Sequence, residues 1–199
     1  MEVQRVLAVL PARRIFALAA AMILLVTAGY TAYNIVKTPE SNSQPGKAAE
    51  LGHIDFKTID GETVSLADVE GRVVILWFMA AWCPSCVYMA DVLNSLHDEY
   101  DGITIIAVDF WTKESLEVLG LNKPGYPPPD SPEMFRRFVN SYGDPTWILV
   151  MDDGTLVKRF DVKSIDYIVI MDRSGNILYT GAAPSLAELE SVIKNFLTG

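Results

Sequence analysis

Two cysteines and two histidines are all the thiols and imidazoles in this 199-residue chain. A disulfide framework of the kind that supports small secreted domains needs several pairs, so that architecture is excluded. A closed four-ligand zinc site is disfavoured, because Cys83 and Cys86 have no third cysteine and His53 and His97 do not share their motif. Clustered basic residues are missing as well. From Ala48 to Gly199 there are 11 Lys plus Arg against 23 Asp plus Glu, a net charge of −12 with His neutral. Nucleic acid is held by basic clusters that release counterions from the phosphate backbone, so no nucleic-acid partner is expected. The acidity serves solubility instead.

What the chain does contain begins with a long apolar run. Ile15 to Val36 is 22 residues without a charge, which as a helix is roughly 33 Å, enough to cross a bilayer. Arg5, Arg13 and Arg14 precede the run and Lys37 follows it. That bias keeps the amino terminus cytoplasmic and sends the remainder across, giving a single-pass protein of the cell membrane with an extracytoplasmic domain. A cleaved signal peptide is the alternative, since Val26-Thr27-Ala28 resembles a small-residue cleavage site. Length favours the anchor, and either reading delivers the domain to an oxidising compartment. Thr38 to Lys47 (TPESNSQPGK) has the composition of a flexible tether. The expected organisation is therefore 1–36 as cytoplasmic terminus and transmembrane signal anchor, 37–47 as linker, and 48–199 as one compact domain.

Within that domain the pattern is α/β. His53 to Ser65 holds two alternating stretches around Asp60-Gly61 and predicts an N-terminal β-hairpin. Val73 to Met79 (VVILWFM) is continuously apolar, as a central strand covered on both faces should be. Pro84 to Tyr100 reads as a helix with Met89, Leu93, Leu96 and Tyr100 on one face, and Ile103 to Val108 as a second buried strand. Strand, helix and strand make a right-handed parallel crossover. Residues 111–130, ending in three prolines, are expected as an insertion loop. Ser131 then caps a helix to Tyr142, with Pro132 at its first position and Phe135, Phe138 and Val139 inward. Tyr167 to Met171 and Asn176 to Thr180 form a closing hairpin. Ser185 opens the last helix with Glu188 completing a capping box, and Leu186, Leu189, Ile193 and Phe196 face the sheet.

The chemistry concentrates in Ala81-Trp82-Cys83-Pro84-Ser85-Cys86, at the junction of a strand and a helix. Thiols three residues apart can close a disulfide within one helical turn. Cys83, at the helix start, feels unpaired amide donors and the helix dipole, both of which favour its thiolate, so it is the attacking sulfur. Cys86, one turn further in, keeps the higher pKa and resolves the mixed disulfide. Pro84 and Ser85 tune the redox poise, and Trp82 is expected to shield the pair and shape the partner surface.

On these residues the chain resembles the thioredoxin superfamily, and within it the membrane-anchored TlpA and ResA type of thiol-disulfide oxidoreductase. The carriers are Asp60-Gly61 with Val64-Ser65-Leu66, then Gly71-Arg72-Val73-Val74, then the specific element Trp82 to Cys86, then Asp172 to Gly175. The resemblance implies a central mixed β-sheet flanked by helices and an enzyme without a cofactor that reduces disulfides of exported proteins. It also implies a CcdA-type membrane electron donor and a task such as cytochrome c maturation.

Two departures stand out. The strand position that carries a buried Asp in many thioredoxins is Trp77, so that proton acceptor is missing. The loop that faces the disulfide, where the family has a cis-proline, reads Ile165-Asp166. A competing alignment places Asp144-Pro145-Thr146 there; Asp166 is preferred because only the Tyr167 strand leads into the final hairpin and helix. If Asp166 faces the sulfurs, it opposes a thiolate by repulsion or, protonated, supplies the missing proton; otherwise it is a solvated loop residue. Two other functions compete with disulfide exchange. A thiol peroxidase of related fold has Thr or Ser three residues before its cysteine, where this chain has Ala80. A metal-delivery protein of the Sco type uses C-x-x-x-C and a distant His, although Cys83, Cys86 and Asp166 together could offer an incomplete soft-metal site.

Overall fold

The computed structural model describes residues 54–69 and 71–198. The apolar run, the tether and the boundary near Ala48 lie outside the described residues, and no helix among those described is long and apolar enough to cross a membrane.

The chain first forms β1 (Asp55–Lys57) and β2 (Thr63–Ser65), paired antiparallel with Phe56 opposite Val64. The connection between them takes five residues rather than a two-residue turn. The amide of Gly61, at φ +86°, donates to the Thr58 carbonyl, and Thr58 Oγ1 accepts from Glu62 N. Then come β3 (Val73–Met79), α1 (Pro84–Glu99), β4 (Ile103–Asp109), α2 (Lys113–Leu119), α3 (Pro132–Tyr142), β5 (Ile148–Met151), α4 (Thr155–Arg159), β6 (Tyr167–Asp172), β7 (Ile177–Ala182) and α5 (Leu186–Thr198).

Five strands form one mixed sheet in the order β5-β4-β3-β6-β7. β3 pairs parallel with β4 and antiparallel with β6, while β5 joins β4 in parallel and β7 closes antiparallel on β6. Every residue of β3 is buried, because successive side chains alternate between two covered faces. Trp77 meets Phe138 of α3 at 6.1 Å and Trp147 at 5.9 Å between ring centroids. Phe78, pointing the other way, meets Phe110, Phe160 and Tyr167. Helix α1 packs against β4, α3 and α5, and α2 against α4.

Three elements differ from the sequence reading, one of them the edge strand β5, which no expected element covered. The stretch 111–130 is not all loop, for α2 occupies its first half with Thr112 accepting from Ser115 N as cap and Gly120 closing the helix at φ +67°. Helix α4 was not expected; its entry is fixed by Asp152, whose carboxylate accepts from Leu156 N and Val157 N. At α5 the Ser185 hydroxyl accepts from Glu188 N as anticipated, while the Glu188 carboxylate accepts a hydrogen bond from the Tyr179 hydroxyl at 2.8 Å.

Candidate active site

The central strand delivers the cysteines. After β3 ends at Met79 the chain turns through Ala80 to Trp82, the Cys83 amide donates to the Ala80 carbonyl, and Cys83 becomes the N-cap of α1 with Pro84 inside the first turn. Pro84 suits that place because its fixed φ is helical and its missing N–H would be unpaired anyway. Both thiols are free. Cys83 keeps 5 % of its surface exposed and Cys86 none.

Their acidities diverge. Cys83 is lowered to about 6, mainly by the hydrogen bond from Cys86, helped by Ser85 and the Cys86 backbone and opposed by burial and the negative Asp166. The Cys86 thiol is pushed far up, because it is the donor in that bond and lies buried. At neutral pH the pair therefore holds one proton, on Cys86, and one charge, on Cys83.

Asp166 faces these sulfurs. It is 4 % exposed, and each cysteine sulfur and a carboxylate oxygen of Asp166 lie within 4.8 Å of one another. Its backbone sits at φ +59°, a left-handed conformation that Asp tolerates better than most residues, and its carbonyl accepts from Ala183 N. Asp166 Oδ1 accepts from Trp77 Nε1 at 3.1 Å and Oδ2 from Ser85 Oγ at 2.7 Å, while Ser85 Oγ also touches Cys83 Sγ at 3.1 Å. The solvated-loop alternative is thereby overturned. So is the competing alignment: Pro145 lines a separate hollow with Ile59, Arg136 and Trp147, and no peptide bond among the described residues is cis. Ile165 is half-buried and packs on the core beside Asp166. A carboxylate is thus present near the sulfurs after all; Trp77 fills the strand position where one was sought and orients the one that enters from the loop.

Cys83, Cys86 and Asp166 are the sole cluster of at least three potential metal donors among the described residues. Two sulfurs and one oxygen suit a soft cation, but they are one ligand short of a closed zinc site. His97 borders a different hollow with Asp68 and Thr104.

Outside the pocket mouth, Trp82 is 36 % exposed and packs edge-on against Trp111 at 5.0 Å. Trp111 in turn contacts Tyr126 at 6.3 Å and donates its indole proton to the Pro127 carbonyl. The proline segment after α2 is thereby held beside the redox motif.

Sequence reasoning missed one feature, a buried acid pair beneath the motif. Asp109, at the end of β4, accepts from Trp111 N, and Asp130, before α3, accepts from Ala81 N at 2.7 Å. The remaining oxygens, Asp109 Oδ2 and Asp130 Oδ1, are buried with no donor from elsewhere. One proton shared between the carboxyls satisfies both, and burial next to Asp130 raises Asp109 well above the usual carboxylate range. The signal was an Asp ending an apolar strand, legible only once its partner 21 residues on is brought beside it.

Residues 46–180 match the model of the AhpC/TSA family. The chain belongs to that family. Among its relatives within this thioredoxin-like group are the thioredoxin-like protein YneN of Bacillus subtilis, 29% identical over 79% of this chain and 85% of that protein. The thiol-disulfide oxidoreductase ResA of Bacillus thuringiensis is 26% identical over 74% and 87% of the two chains. The crystal structure of a thioredoxin-like protein from Aeropyrum pernix is 58% identical with TM-score 0.70, covering 86% of this chain and 99% of that one. A secreted disulfide oxidoreductase of Mycobacterium tuberculosis, at 20% identity and TM-score 0.53 over 71% and 95% of the chains, shares the fold. The chain is a thioredoxin-like thiol-disulfide oxidoreductase, similar to ResA.

Proposed function

We propose that this protein reduces disulfides in exported proteins by thiol-disulfide exchange, with Cys83 as nucleophile and Cys86 as resolving thiol. The observation that carries the reading is the split between two thiols on one helical turn, Cys83 lowered to about 6 and Cys86 buried and raised. The Cys83 thiolate attacks a substrate disulfide, one substrate sulfur leaves as thiolate, and Cys83 is left in a mixed disulfide. Cys86 then loses its proton and attacks Cys83, closing the Cys83–Cys86 disulfide and releasing the reduced substrate.

The apolar segment Ile15 to Val36 supports a membrane anchor that holds the domain on the extracytoplasmic side. A domain so placed draws its electrons through the membrane, and a CcdA-type carrier has the required chemistry. Kinship with ResA supports a task such as cytochrome c maturation. Trp82, with Trp111 and Tyr126 behind it, offers an aromatic ledge for the substrate chain beside Cys83. The peroxidase alternative gains no support, because Ala80 is buried and brings no hydroxyl.

The test is the reduction potential of the pair in the full-length protein, equilibrated against glutathione and dithiothreitol. A reversible couple well below that of glutathione supports a reductant; a strongly oxidising one makes the protein a disulfide donor, and absence of a reversible couple removes the reading.

A further inference from the structure

We infer that Cys83, Cys86 and Asp166 bind a zinc ion when the pair is reduced, as two thiolates and one carboxylate that leave a fourth position open. The inference needs only the reduced pair, whichever direction exchange takes.

The three side chains come from two parts of the chain and meet in one buried pocket. Cys83 and Cys86 lie one turn apart at the start of α1, and Asp166 enters from the loop before β6. Both thiols are free, and all three residues are buried. One donor atom from each lies within 4.8 Å of the other two. A tetrahedral zinc ion, with bonds of about 2.3 Å to sulfur and about 2.0 Å to oxygen, holds such donors about 3.5–3.8 Å apart. A contraction of about 1 Å, within reach of side-chain rotation, closes the set.

The donor chemistry decides the ion. Two sulfurs exclude magnesium and calcium, which take oxygen ligands. A carboxylate beside those sulfurs suits the borderline-soft zinc better than copper(I), which selects sulfur. A doubly charged ion also offsets three anionic ligands held together out of water.

The carboxylate is already aimed. Trp77 Nε1 donates to Asp166 Oδ1 at 3.1 Å and Ser85 Oγ to Oδ2 at 2.7 Å, outer partners of the kind that orient a metal-bound carboxylate. Each oxygen keeps a lone pair for the ion. The loop itself is tied down where the Asp166 carbonyl accepts from Ala183 N. Ser85, which touches both Cys83 and Asp166, is exposed, so water or a substrate thiolate reaches the fourth position from that side.

Binding transfers no electrons. Two Zn–S bonds and one Zn–O bond form, water leaves the ion, and the Cys86 proton passes to solvent. Sulfurs committed to zinc neither attack a disulfide nor pair with each other, so the ion masks the reduced pair and its removal restores it.

The experiment titrates reduced full-length protein, kept anaerobic, with zinc against a chromophoric chelator and with cobalt(II) as a spectroscopic substitute. The expected result is one zinc per chain, and a cobalt complex with a sulfur-to-metal band in the near ultraviolet and the intense visible bands of a four-coordinate ion. Asp166→Asn, which keeps an acceptor for Trp77 Nε1, weakens zinc binding about a hundredfold, and Trp77→Phe about tenfold. Disulfide reduction by the zinc-loaded protein stops and returns on chelation. Substoichiometric zinc overturns the site, and equal affinity in Asp166→Asn assigns the ion to the sulfurs alone and overturns it too. A zinc-loaded protein that reduces disulfides at the metal-free rate overturns the masking. A protein that forms a reversible disulfide but takes up no zinc sinks the site alone, whereas one that binds zinc and forms no reversible disulfide sinks the exchange reading alone.

Discussion

Trp77 Nε1 donates to Asp166 Oδ1 at 3.1 Å, so the central strand reaches the loop residue that faces the redox pair across 89 positions of sequence. Replacing Trp77 with Phe keeps a ring in the core but strands a buried carboxylate oxygen. The expected cost is about 1–3 kcal/mol of stability, read from urea unfolding with unchanged slope. An unfolding curve that matches the parent would show that this hydrogen bond does not hold Asp166.

The low pKa of Cys83 leans first on Cys86. In Cys86→Ala that donor is gone, and the Cys83 midpoint should climb from about 6 toward the ordinary thiol value of 9.0. Absorbance of the thiolate against pH checks it. In the parent protein, iodoacetamide should modify Cys83 at neutral pH and spare Cys86 until the chain unfolds, because Cys86 is buried and its thiol is pushed far up.

The buried acids should leave a mark on stability. Folded Asp109 keeps a proton that the unfolded chain has released above the ordinary carboxylate range. The native state then binds more protons than the unfolded one, so stability is full at acid pH and falls as pH rises through the folded-state value. Asp109→Asn can still accept from Trp111 N and donate to Asp130 without a titrating proton. Thermal unfolding between about pH 5 and pH 8 should lose this falling component in the variant, which should be the more stable form at the alkaline end. A parent and variant with parallel profiles would place the proton elsewhere.

Trp82 is exposed beside the attacking sulfur and braced by Trp111. Trp82→Ala should raise KM for a protein disulfide by about tenfold, the scale of losing one aromatic contact. Rates with a small aromatic disulfide reagent should change far less, since such a reagent needs only the sulfur. Equal losses for both would assign Trp82 to the chemistry rather than to docking.

Much of this arrangement could be read from residue pattern. VVILWFM announced a doubly covered strand, Ser131-Pro132 announced the start of α3, and Trp82 to Cys86 announced the thiols. These signals are local, set by side-chain period, capping and turn chemistry. Asp166 was placed opposite the sulfurs by the order of the last elements alone, but its bonds to Trp77 and Ser85 depend on packing between distant segments. The acid pair was invisible for the same reason. Helices α2 and α4 were missed because five to seven residues give too few turns for a periodic stripe, and their entries are fixed by Thr112 and Asp152 instead.

The pocket has parts made at different times. Ser85 and Asp166 are 81 residues apart, and β6, which follows Asp166 and pairs with β3, comes later in the chain than the parallel strands β4 and β5. During synthesis the amino-terminal part emerges first, so both thiols leave the ribosome well before their acid does. Closing so long a loop is also slow compared with forming α1. The nascent chain therefore carries an unguarded dithiol for a measurable interval, and its susceptibility to stray oxidation is greatest before the protein has acquired the pocket that controls it.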